Sequence, residues 1–219
     1  GMAALDTTAK RWAEVTKSVI WQAYGLTETS PLVSVNDYKQ TEFTGSVGLP
    51  AAYTEIEIRD ESGNALSETN AVGELCVRGP QVMSGYWKSE VSGLDENNWF
   101  MTGDIARIDE TGNIFIVDRK KDMIIVSGFN VFPNEVEAVV NEHPAVLECG
   151  CVGVEGENSQ ELVKVFIVLH DEQTATEDEI ISFCREKLTA YKVPKHIEFI
   201  KEIPKTNVGK VLRRELKEN

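Results

Sequence analysis

Asp118-Arg119-Lys120-Lys121-Asp122-Met123-Ile124-Ile125-Val126-Ser127-Gly128-Phe129-Asn130-Val131-Phe132-Pro133 is the stretch at which the pattern of this chain changes. Its first five residues are all charged and read as an exposed linker. The apolar run behind them, broken by Ser127-Gly128-Phe129, reads as a hairpin from Met123 to Val126 and from Asn130 to Phe132. Pro133 then pre-sets the first turn of a helix carrying Val136, Val139 and Val140. Downstream lie two apolar strands (Val146 to Val154 and Leu162 to Leu169), a capping box at Thr176-Glu177-Asp178-Glu179 opening a helix through Leu188, a strand from His196 to Ile200 and a short helix from Val211 to Leu216. Upstream, Thr44 to Asp118 reads as short strands with turn punctuation: Ile56 to Arg59, Glu74 to Arg78, and Ile105 to Ile108 joined to Ile114 to Val117. Residues 3 to 16 form an amphipathic helix on paper, with Leu5, Ala9, Trp12 and Val15 on one face, and Val19-Ile20-Trp21 a strand. The fold class expected is α+β: a helix-strand segment over 1–43, a small antiparallel β-barrel subdomain over 44–120, and a compact mixed α/β domain over 121–219.

The chain has 219 residues, room for one large domain or two small ones, and is 42% hydrophobic with a mean hydropathy of -0.23. No apolar run approaches the roughly 20 residues that span a bilayer, and the N-terminus lacks the basic and apolar segments of a signal peptide. A cytoplasmic location is the default. Cys76, Cys149, Cys151 and Cys184 suggest neither a disulfide framework nor a zinc site. His143, His170 and His196 have no ligand partner at helical spacing. The net charge of -14 argues against nucleic acid as a partner. The balance is uneven: residues 185–219 hold ten Lys or Arg against five Asp or Glu, a basic tail suited to a polyanionic small molecule.

Four strings carry chemistry: Tyr24-Gly25-Leu26-Thr27-Glu28, followed by Ser30-Pro31; Thr102-Gly103-Asp104, preceded by Trp99-Phe100; Asp118 to Asp122; and Pro204-Lys205-Thr206-Asn207-Val208-Gly209-Lys210. Read alone, the first is a glycine-centred turn, the second a turn aspartate, the third a charged surface linker and the last a solvated tail. Taken in this order they resemble the adenylate-forming enzymes that couple a carboxylic acid to coenzyme A. A carboxylate is a poor acyl donor until AMP is placed on it, and that step needs cations and a metal to offset phosphate charge.

The resemblance implies a role for each residue. Tyr24 stacks on adenine, Gly25 lets backbone pass close to the nucleotide, Thr27 contacts the α-phosphate and Glu28 helps hold Mg2+. Asp104 accepts hydrogen bonds from the ribose hydroxyls and Arg119 contacts the ribose and phosphate. Lys121 is the hinge between two poses of a mobile domain. Lys210 reaches the attacking carboxylate and the α-phosphate bridge. Ser127, Gly128 and Phe129 meet the CoA arm, although Phe129 and Phe132 fit a core role equally. The co-substrates implied are ATP and CoA.

The family's Gly/Ser/Thr-rich phosphate loop is not in these residues, so the chain reads as the back portion of a larger enzyme, with 1–120 a remnant of the large AMP-binding domain, and is expected to be inactive alone. The Asp118 to Pro133 stretch and Gly79-Pro80-Gln81-Val82-Met83 look most like bacterial long-chain fatty acid CoA ligases. Two alternatives stay open: activation of an aryl or other acid, and a non-catalytic nucleotide-binding or interaction module. The resemblance also allows peripheral membrane association of the full enzyme, and the exposed apolar surface of the first 40 residues allows a homodimer.

Overall fold

The computed structural model describes residues 4, 6–156, 160–207 and 209–218. They form two compact units, which divide in sequence between Lys120 and Lys121. Leu5 of the expected helix face and Val208 of the last motif lie outside the described residues. Among those described, no helix is long and apolar enough to cross a membrane.

In the N-terminal unit, helix α1 (Asp6–Thr16) buries only Ala9 of its expected apolar face; Trp12 and Val15 are exposed. The expected Val19–Trp21 strand sits later, as β1 (Ala23–Tyr24). The physical reason is partners: ladder bonding starts at Gln22, whose carbonyl accepts from Asn36 N at 2.9 Å, and Trp21 is half-exposed. β1 pairs antiparallel with β2 (Ser34–Val35), which pairs with β3 (Leu49–Pro50).

β4 (Glu55–Arg59), β5 (Gly73–Arg78), β6 (Phe100–Ile108) and β7 (Ile114–Arg119) form one antiparallel sheet in that order. The expected β-barrel is therefore an open sheet. The free edge of β7 is taken by another segment, Val47 N donating to Ile114 O at 2.8 Å and Ile114 N to Gly48 O at 3.0 Å, so β4 does not close onto it. Ile58, Leu75, Val77, Ala106 and Ile114 fill its core with Val33 and Val47.

The β6 ladder is irregular on both of its sides. Toward β5 the register runs from Glu74↔Ile105 to Cys76↔Met101, so Thr102, Gly103 and Asp104 all face the single residue Leu75 and bow out of the ladder. Toward β7 the register passes from Ala106↔Ile116 to Ile105↔Asp118, skipping Val117, and continues to Asp104↔Arg119.

The C-terminal unit opens with the hairpin β8 (Ile124–Val126) and β9 (Phe129–Val131). Val126 pairs with Phe129, so the turn is Ser127-Gly128 alone and Phe129 belongs to a strand, correcting the three-residue loop. Both turn residues have positive φ, 51° and 84°, the geometry that matches strand twist in a two-residue hairpin. Then come α2 (Pro133–Val140) with proline in its first turn, β10 (Val146–Glu155), β11 (Glu161–Leu169), α3 (Glu177–Arg185), β12 (His196–Phe199) and α4 (Arg213–Lys217). The Thr176 box is formed, Oγ1 accepting from Glu179 N at 3.3 Å and Glu179 Oε2 from Thr176 N at 2.7 Å.

β10 and β11 are antiparallel, while β12 runs parallel to β11, a pairing that needs the α3 crossover. Alternation along β11 sorts the two faces. Val163, Val165 and Ile167 pack with Val136 and Val140 of α2 and Ile180 of α3. Phe166 and Val168 pack with Leu216 of α4. All four cysteines are free and buried, Cys149 and Cys151 on the α2 side of the sheet.

Candidate functional site

The bow of Thr102 to Asp104 turns a carboxylate out of the β5 ladder while the β7 register keeps it opposite Arg119. Arg119 Nε lies 2.7 Å from Asp104 Oδ1, and Tyr24 donates its hydroxyl to Asp104 Oδ2 at 2.5 Å. Asp104 is buried, with Arg119 partly open to water. Tyr24 is held neutral: burial first, then the Asp104 charge and hydrogen bond, push its phenol well above the usual range. Residues from three separate motifs are thus one cluster within one unit. An acceptor pair flanked by a cation and a phenol is suited to a vicinal diol on an anionic ligand.

The bow leaves backbone groups that need substitutes. Thr102 Oγ1 donates to Leu75 O at 2.7 Å, and Gly103 N, at φ +71°, donates to Glu74 Oε1 at 3.1 Å. Glu74 Oε2 in turn takes Lys120 Nζ at 2.7 Å. Sequence reading passed over Glu74, because alternation places it on the same strand face as Arg78, opposite Leu75 and Val77, and nothing local shows that the structure buries it.

Gly25 has a structural reason of its own: a Cβ there would lie 1.5 Å from Pro31 O. Behind it, Thr27–Thr29 form a single 3-10 turn stapled by Thr29 Oγ1, which donates to Leu26 O and accepts from Leu26 N, both at 3.0 Å. Thr27 is exposed on this turn. Glu28 is half-buried, its Oε1 accepting from Tyr86 OH at 3.1 Å. No group of three or more His, Cys, Asp or Glu among the described residues could cage a metal. A single carboxylate with open lone pairs still fits Mg2+, which keeps several waters and takes its remaining ligands from phosphates.

The other motif residues lie in the C-terminal unit. Lys210 is exposed on a tight turn closed by the Lys205↔Val211 bridge, with Thr206 N donating to Lys210 O at 2.8 Å and Gly209 N to Thr206 O at 2.8 Å. Gly209 takes φ +81°, and Lys205 pairs with Glu148. Ser127 and Gly128 form the hairpin tip, and Phe129, more than half exposed, stacks on Tyr191 with ring centroids 4.8 Å apart. Lys121 is exposed at the start of the unit.

Sequence reading also missed Arg213. Its Nη2 meets Glu137 Oε1 and Oε2 at 2.8 and 2.9 Å, Nε donates to Cys151 O at 3.2 Å, and Nη1 lies 3.6 Å from Asp122. One largely buried guanidinium thereby joins α4, α2, β10 and the segment next to Lys121. Its signal was present as a basic residue three positions after Lys210, hidden among other tail cations.

A family model described as AMP-binding enzyme matches residues 1–87, and one described as AMP-binding enzyme C-terminal domain matches residues 135–210. The long-chain-fatty-acid–CoA ligase of Escherichia coli O157:H7 is 51% identical over 220 residues, covering 100% of this chain and 39% of the relative. That of Bacillus subtilis (strain 168) is 42% identical over 221 residues, covering 100% of this chain and 40% of the relative. Among solved structures, ATP-bound MatB from Rhodopseudomonas palustris superposes with a TM-score of 0.92 at 31% identity, over 98% of this chain and 43% of that one. The Bacillus subtilis o-succinylbenzoate CoA synthetase in complex with its acyl-adenylate intermediate gives 0.85 at 32% identity, over 100% of this chain and 45% of that one. The chain thus spans about two fifths of the length of the curated relatives it matches.

Proposed function

The chain belongs to the AMP-binding enzyme family, and from that premise we propose that the complete enzyme activates a long-chain fatty acid with ATP and passes the acyl group to CoA. In the first half-reaction a carboxylate oxygen bonds to the α-phosphorus of ATP, the bond to the β-bridging oxygen breaks, and pyrophosphate leaves. In the second, the CoA sulfur bonds to the acyl carbon, AMP leaves with the electron pair of the cleaved C–O bond, and the thiol proton is released.

The observation that carries this reading is the Tyr24–Asp104–Arg119 cluster, formed by three of the family strings inside one unit. Asp104 holds the ribose diol, Arg119 stays beside it for the ribose and phosphate side, and Tyr24 presents its ring to adenine, with Gly25 allowing the chain to turn there. Thr27 faces the α-phosphate. Glu28 would hold Mg2+, which supplies charge neutralisation on the phosphates. Lys210, held out on its turn, stabilises the negative charge that develops during adenylation. Lys121 serves as the hinge, with the C-terminal domain beginning there and residues 1–120 completing the large domain, and Ser127, Gly128 and Phe129 receive the CoA arm.

A second acid class is favoured by one finding: a 2-succinylbenzoate–CoA ligase of Bacillus mycoides (strain KBAB4) is 39% identical over 90% of this chain. The test is ATP–pyrophosphate exchange by the complete enzyme with acids of graded length and with aryl acids. We expect fatty acids to support exchange and Lys210→Ala to lower it on the order of 100-fold or more. Exchange undiminished in Lys210→Ala, or supported by aryl acids alone, overturns the assignment.

A further inference from the structure

Glu74 is a buried carboxylate with no part in the activation reaction, yet each of its oxygens has a donor. Oε1 takes the Gly103 N–H at 3.1 Å, and Oε2 takes the Lys120 ammonium at 2.7 Å. Gly103 sits in the bow, where the β5 ladder offers it nothing. Lys120 is the last residue of its unit. Because Gly103 precedes Asp104 and Arg119 precedes Lys120, these groups close a ring: Glu74 to Gly103, along the chain to Asp104, across to Arg119, along the chain to Lys120, and back to Glu74. Two links of the ring are peptide bonds and three are polar contacts.

We propose that Glu74 is a positioning residue, which holds the Asp104 carboxylate in its ligand-facing position and ties that position to the end of the N-terminal unit through Lys120. The inference rests on the assignment of Asp104 to the ribose. Thr102 Oγ1 bridges Leu75 O and Asp104 N, but the half-buried Gly103 N–H between them has Glu74 as its acceptor, and a donor left without one is costly. A carboxylate accepts with both oxygens at once, as an amide or hydroxyl cannot when one donor is a cation. Without it, Asp104 would still have Arg119 opposite, but its backbone would have lost the support beside it.

The experiment has two readouts. In the 219-residue chain, hydrogen exchange at Gly103 N–H is followed for wild type, Glu74→Gln, Glu74→Ala and Lys120→Met. Glu74→Ala should exchange at least tenfold faster at Gly103, whereas Glu74→Gln, whose amide oxygen still accepts, and Lys120→Met should stay near wild type. In the complete enzyme, Glu74→Ala should raise KM for ATP about tenfold, the scale of one charged hydrogen bond, and leave KM for the acid unchanged. Lys120→Met should raise KM for ATP a few-fold. Unchanged Gly103 exchange in Glu74→Ala, or a fall in kcat with KM for ATP unmoved, overturns the proposal. If Glu74→Ala does not fold, Glu74→Gln with wild-type protection and Lys120→Met with a raised KM support it, and their opposites overturn it. A wild-type enzyme without ATP–pyrophosphate exchange would sink the functional assignment instead, leaving the exchange measurement to judge the anchor.

Discussion

Replacing Arg213 by methionine should destabilise the C-terminal unit from its tail inward. The guanidinium is 12% exposed and the Glu137 side chain 14%, so neither charge is well screened by water. Methionine keeps much of the side-chain volume but leaves Glu137 with Cys151 N as a donor, and Cys151 O loses its contact with Arg213. Removing one member of a buried ion pair costs about 3–5 kcal/mol, and the residual exposure here puts the expected loss near the lower end, about 3 kcal/mol. At about 4–8 °C per kcal/mol for a domain of this size, Tm should fall on the order of 10–20 °C. All four tryptophans lie before residue 121, so far-UV circular dichroism with urea or heat is the assay. The double variant Arg213→Met with Glu137→Leu should recover part of the loss, because the stranded charge goes with its partner. A loss under about 1 kcal/mol, or no recovery in the double variant, would refute the account of Arg213 as a buried tie.

Three further outcomes are expected. Tyr24→Phe should leave the alkaline absorbance change at 295 nm unaltered up to about pH 11: its folded pKa is raised, so the phenol keeps its proton where an unfolded chain releases it, and its stabilising effect fades only as pH rises past about 10. Burial pushes Cys76 and Cys184 up to about 11 and Cys149 well above its ordinary value, so a thiol reagent at pH 8 should label none of these three in the native chain and all of them in urea. Gly25→Ala would drive a methyl into the Pro31 carbonyl and should destabilise the N-terminal unit by about 1–3 kcal/mol or more, seen as a lower midpoint by tryptophan fluorescence; an unchanged midpoint would mean the two backbone segments do not touch.

Local signals were legible in the sequence wherever they are carried by neighbouring residues. Pro133 opening α2, the Thr176 to Glu179 box and the apolar run of β11 all act within a few positions, and they formed where the residues put them. What failed depended on partners. Val19–Trp21 has the composition of a strand but no ladder until Gln22 meets Asn36. A barrel and an open sheet have the same alternation; only the segment at Val47 and Gly48 on the edge of β7 distinguishes them. The hairpin tip was misjudged by one residue because this two-residue turn needs positive φ at both positions, and Ser127 takes it at 51° although its residue type does not signal this. For the candidate site, residue types were readable from the strings, but Glu74 and Arg213 act across 29 and 76 positions, beyond the reach of any local pattern.

Val117 is one valine in a strand, yet the jog at its position decides which charges confront each other. A strictly regular count back from the Ala106↔Ile116 pair would set Asp104 against Asp118 instead of Arg119. Two acids would then share a cross-strand slot and repel. One residue inserted between Val117 and Asp118, with the jog still absorbing a single position, would bring about that clash and replace attraction by repulsion in the candidate site without altering any residue of the Tyr24–Asp104–Arg119 cluster. Strand length, as much as side-chain identity, is thus a determinant that engineers of this scaffold must keep.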